Sequence, residues 1–129
     1  MRLLLDTHTL LWWLDGDPSL SPAAQEAITD EASEIFVSAA SSWEIATKYR
    51  LGKLPGAATV ATGVAACLAA QGFTELPITV AEGQKAGSLP GTHRDPFDRM
   101  LVAQALAEDY TLVSRDGVLA RYGAPVVWE

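Results

Sequence analysis

The feature that most constrains this chain is a recurring unit: a short apolar run that ends on a polar or acidic residue and is followed by a helix-start signal. Arg2-Leu3-Leu4-Leu5 stops at Asp6, Ile35-Phe36-Val37 leads into Ser41-Ser42-Trp43-Glu44, Phe73 to Ile78 leads to Thr79, and Thr111-Leu112-Val113 leads to Asp116. Short runs of this kind between helical segments read as strands, the apolar ones as buried strands, and their alternation with helices predicts an α/β layer fold with a mostly parallel sheet. Helices are expected over Leu10 to Leu14, Pro22 to about Glu31 behind an N-cap at Ser21, Ser41 to about Arg50, Ala57 to Gln71, Thr79 to about Gly87, Asp95 to about Glu108 and Gly117 to Tyr122. Pro90-Gly91-Thr92-His93-Arg94 reads as a loop, and Val126-Val127-Trp128 as the last strand.

With 129 residues there is material for one domain, taken as 1–129, and too little for two. Apolar residues at 49% against 19% charged favour a folded chain over disorder. The lone Cys67 excludes an internal disulfide and a Cys-rich structural zinc site, which fits a reducing cytoplasm. Asp6 and His8 interrupt what would be the apolar region of a signal peptide, and the apolar stretch 57–70 is shorter than the roughly 20 residues of a membrane span. A net charge of −7 speaks against simple phosphate binding through overall charge, and has to be reconciled with any nucleic-acid partner.

In a parallel sheet with right-handed crossovers, strand C-termini and helix N-termini share one edge, where ligands bind. Asp6, Glu44, Asp95, Asp98 and Asp116 all fall at such positions and are expected to converge. Two unit charges about 5 Å apart repel by roughly 3 kcal/mol at an effective dielectric near 20. Either raised pKa values or a divalent cation must offset this, and oxygen donors without a Cys/His set favour Mg²⁺ or Mn²⁺. Such an ion would acidify a water for attack on phosphorus and stabilise phosphoryl charge.

Each acid also has a local structural reading. Asp6 suits a strand-end Asx turn, Glu44 the fourth position of a Ser-x-x-Glu capping box, Asp116 the cap of the following helix, and Asp95, before Pro96, an N-cap. Asp6 and Asp98 are therefore the firmer ligands, with Asp95 able to reach a bound water. Lys48 is an i,i+4 partner of Glu44 or a phosphate contact, and Arg99 could orient a carboxylate or touch a substrate. His8 and His93 show no metal-motif spacing. Trp12, Trp13, Trp43 and Trp128 read as core or interface residues before base-stacking platforms.

Together, Asp6-Thr7-His8-Thr9-Leu10-Leu11-Trp12, Ser38-x-x-Ser41-x-Trp43-Glu44-Ile45-Ala46-x-Lys48, His93-x-Asp95-Pro96-Phe97-Asp98-Arg99-x-Leu101-x-Ala103-Gln104-Ala105 and Ser114-x-Asp116 resemble the VapC-type toxins among PIN-domain ribonucleases, nearly from end to end. The resemblance implies a PIN-like three-layer fold, Mg²⁺- or Mn²⁺-dependent RNA cleavage, a homodimer, and a cognate antitoxin in a type II toxin–antitoxin pair. It places the acidic quartet on Asp6, Glu44, Asp98 and Asp116, with Asp95 as an extra acid and Ser114 where many relatives carry Thr. Two other classes are weighed beside it. A phosphoacceptor receiver domain needs a switch lysine after a late strand, and none follows Lys85; a non-catalytic PIN-fold binding module would not need the complete acid set.

Overall fold

The computed structural model describes residues 1–91 and 93–129; Thr92, in the loop expected over 90–94, lies outside the described residues. Five strands, β1 (Arg2–Leu5), β2 (Glu34–Ser38), β3 (Thr74–Leu76), β4 (Thr111–Val113) and β5 (Val126–Val127), form one sheet in the order β3-β2-β1-β4-β5. Every ladder is parallel, with Leu4 opposite Phe36 on one side and Leu112 on the other.

Because alternate residues of a strand face opposite ways, the apolar runs feed two cores. Leu3, Leu5, Ile35, Val37 and Val113 pack with residues of α1 (Thr7–Asp15), α2 (Pro22–Thr29), α3 (Ala39–Arg50), α4 (Ala58–Ala61) and α5 (Val64–Gln71). Leu4, Phe36, Leu76 and Leu112 pack with α7 (Pro96–Glu108) and a 3-10 helix over Gly117–Tyr122, while α6 (Val80–Ser88) lies along α7. The result is helices, sheet and helices in three layers. Runs apolar at every position are what a sheet covered on both faces requires.

Three helix starts differ from expectation, each for a local reason. α1 begins at Thr7 because the Asp6 carboxylate accepts the Thr9 N–H at 2.8 Å and caps it. α3 begins at Ala39, capped by Ser38 through the Ala40 N–H, so Ser41 is inside the helix and the Ser41 to Glu44 capping box does not form. The single helix expected over Ala57 to Gln71 is two, because Thr62 returns its hydroxyl to the Ala58 carbonyl and Gly63 starts a new turn. Among the described residues no helix is long and apolar enough to cross a membrane.

Candidate active site

The chain leaves β1 toward β2 and β3, then returns to the other side for β4 and β5, so a crevice opens at the carboxyl end of β1. Asp6 stands at that switch and is only 8% exposed. One of its oxygens, Oδ1, caps α1, while Oδ2 accepts the Ser114 hydroxyl at 2.6 Å. The same Ser114 oxygen accepts the Asp116 N–H at 3.0 Å. Ser114 thereby fixes Asp6 against the turn after β4, and Asp6 and Asp116 line one cleft with His8, Trp12 and Arg115.

Next along the chain, the Thr7 hydroxyl reaches across to α3 and donates to Glu44 Oε1 at 2.5 Å, with Ser41 beside it at 3.1 Å. Glu44, 4% exposed, sits in the second turn of α3, and the Ser38 cap leaves it free of capping duty. Its Oε2 accepts from the ammonium of Lys48, one turn on. Burial pulls the Lys48 ammonium down, yet the hydrogen bond from Glu44 and the charges of Glu44, Asp95 and Asp98 outweigh it and hold the group above its usual range.

On the facing element, Asp95 caps α7, its Oδ1 accepting the N–H groups of Phe97 and Asp98 at 2.9 and 3.2 Å. That leaves Asp98 turned inward, where its Oδ2 meets His93 Nε2 at 3.0 Å. Burial pushes the Asp98 carboxyl above the usual carboxylate range, the negative charges of Asp95 and Glu44 add to this, and His93 opposes it. Among the described residues, His93, Asp98 and Asp116 each offer one donor atom, and these lie within 4.8 Å of one another.

His93 is the member that reading the sequence passed over. Its ligand-like position follows from the loop before α7 folding back over Asp98, for which no spacing rule exists. Arg99 lies beside Asp98 in sequence but points elsewhere: its guanidinium donates to the carbonyls of Ala86, Gly87, Leu89 and His93. It ties the end of α6 and the following loop to α7. Trp12, Trp13 and Trp128 pack against the first core, whereas Trp43 is 63% exposed and stands edge-on to Phe97 at 4.9 Å between centroids.

The donors gathered here are hard carboxylate oxygens with one imidazole, a set suited to Mg²⁺ or Mn²⁺. An ionised carboxylate has about four acceptor directions. Asp6 and Asp116, each with one oxygen used for capping, therefore keep capacity toward an ion.

A parallel five-stranded sheet between helix layers, with acids at the carboxyl end of its first strand, defines a three-layer α/β fold with an acidic site at its topological switch point. The PIN domain family model matches residues 3–125, and the chain belongs to the PIN domain family. Ribonuclease VapC22 of Mycobacterium tuberculosis is 32% identical over 130 residues, covering 98% of each protein. Solved structures similar in fold include VapBC2 of Rickettsia felis bound to a promoter DNA fragment (TM-score 0.72, 16% identity, 100% of both chains). VapBC-1 of nontypeable Haemophilus influenzae (0.70, 13%, 98% of this chain and 97% of that one) and FitAcB of Neisseria gonorrhoeae (0.60, 19%, 96% and 95%) share it too. At these identities the structural likenesses speak for the fold alone.

Proposed function

We propose that this protein is a metal-dependent endoribonuclease acting as the toxin of a type II toxin–antitoxin pair. The observation that carries the reading is the cluster of His93, Asp98 and Asp116 in a PIN-domain fold, with Asp6 sharing a cleft with Asp116 and Glu44 close enough to Asp98 for its charge to act on it. The VapC22 ribonuclease, alike over nearly its whole length, supports the activity, and the VapBC complexes, alike in fold, support a protein antitoxin as partner.

Asp6, Asp98, Asp116 and Glu44 would hold Mg²⁺ or Mn²⁺, which when bound lowers the pKa of a water and stabilises charge on the phosphoryl oxygens. The chain's own groups set up that chemistry. Ser114 and the α1 N-terminus hold Asp6 in one rotamer, Thr7 and Lys48 hold both oxygens of Glu44, and His93 keeps a nitrogen on Asp98 where a proton can be held or moved. Asp95 stays a cap that adds negative charge beside Asp98.

We assign the homodimer contact to the apolar cleft of about 230 Å³ lined by Trp43, Ile78, Phe97 and Met100; Val80, two residues after Ile78, is 92% exposed. The cytoplasm is the compartment we assign, in keeping with a lone, unpaired cysteine. The direct experiment is incubation of total RNA with the purified chain in Mg²⁺ or Mn²⁺. Cleavage that stops in EDTA and is lost in Asp98→Asn supports the reading, and undiminished cleavage by a pure Asp98→Asn protein would sink the ligand assignment.

A further inference from the structure

Beside the acids, sharing the His93 wall with them, lies a cleft of about 630 Å³ that the chemistry above leaves unused. Its size falls within the roughly 300–1,000 Å³ typical of small-ligand clefts. Two guanidinium groups, Arg94 and Arg121, line it, together with the Tyr122 ring, which stands edge-on to His93 at 6.4 Å between centroids. In a chain with 9 Lys and Arg against 16 Asp and Glu, cations gathered this near the acids are conspicuous. Both arginines are exposed, and among the described residues none of the three salt bridges includes either of them; the one that touches the cleft is His93 with Asp98.

The wall is also held in place. Arg99 donates to the Leu89 carbonyl at 2.6 Å and the His93 carbonyl at 3.0 Å, and both residues line the cleft. Gly91 lies close against the Tyr122 hydroxyl: a Cβ there would come within 3.2 Å of it, and its φ of +96° is one that L side chains rarely adopt. A cavity fixed before its ligand arrives loses less entropy on binding.

We propose that this cleft is the backbone-binding subsite for the RNA strand next to the scissile bond, with Arg94 and Arg121 taking a phosphate each. Guanidinium forks match phosphate oxygens in geometry as well as charge. This also resolves the net charge of −7, because the strand is met by a local pair of cations while the acids face its cleaved phosphate. The inference rests on the ribonuclease reading and names part of that site's substrate contact.

The test uses Arg94→Gln/Arg121→Gln in the full chain. Placed on Asp98→Asn to prevent cleavage, it is titrated in Mg²⁺ with a fluorescent random-sequence single-stranded RNA pool over a series of salt concentrations. Two single-strand phosphate contacts contribute about 1.4 to the slope of log affinity against log salt, so the double variant should show a slope shallower by that amount. In the cleaving protein the same pair should raise KM on the order of tenfold or more with kcat nearly unchanged, as expected for contacts equal in ground and transition states. An unchanged slope and KM, in a protein whose wild type cleaves RNA, overturns the subsite and leaves the ribonuclease reading standing. A wild type that neither cleaves nor binds RNA overturns both.

Discussion

Asp98 is asked to be ionised in a place that resists it. Burial and two neighbouring carboxylates raise its pKa in the folded protein above the ordinary 3.8, with His93 only partly compensating. For an acid raised on folding, the group's contribution to stability is fully present below the unfolded value and is lost as pH rises through the folded one. The metal-free Asp98→Asn protein should therefore match wild type in thermal stability near pH 3.8 and exceed it increasingly as pH rises toward 7, as read by melting in EDTA. A wild type more stable than the variant at pH 7 without metal would count against a strained carboxylate. Ser114 carries a complementary expectation. Its hydroxyl links Asp6 to the Asp116 backbone, so Ser114→Ala should lower metal-dependent cleavage by about 10- to 100-fold, the usual effect of removing a group that orients a ligand, and Ser114→Thr should retain it.

At the scale of elements, what decides the site is where helices start. Ser38 caps α3, so Ser38→Ala should cost about 1 kcal/mol in urea unfolding. Ser41→Ala should show no capping loss, touching only the Thr7 contact. The central strands β1 and β2 were legible because buried parallel strands leave apolar runs, and Asp95 was legible because Pro96 fixes the residue before it as a cap. The start of α3 was placed late, at Ser41, because two serines, Ser38 and Ser41, both suit an N-cap, and the structure uses Ser38, which leaves Glu44 without the capping alternative. The break at Thr62-Gly63 escaped because an Ala-rich stretch is helical by propensity on both sides of it. His93 and the commitment of Arg99 to carbonyls depend on how a loop folds across space, which periodicity does not encode.

For the molecule as a whole, topology does what local sequence leaves open. The acids are separated by up to 110 positions, yet a sheet that winds outward in both directions from β1 brings them to one edge. On the proposed metal site, the negative charge at that edge should make the fold more stable with a cation than without one. Mn²⁺ at about 100 times its dissociation constant should add about 2.7 kcal/mol to stability, seen as a rise in melting temperature that EDTA reverses. The most direct measurement of the central claim is a calorimetric titration of Mn²⁺ into the wild type, Asp98→Asn and Asp116→Asn proteins. Saturable binding in the wild type that is lost in Asp98→Asn and weakened in Asp116→Asn is the expected result. Absence of binding to the wild type at millimolar Mn²⁺, or equal binding by all three, would contradict it.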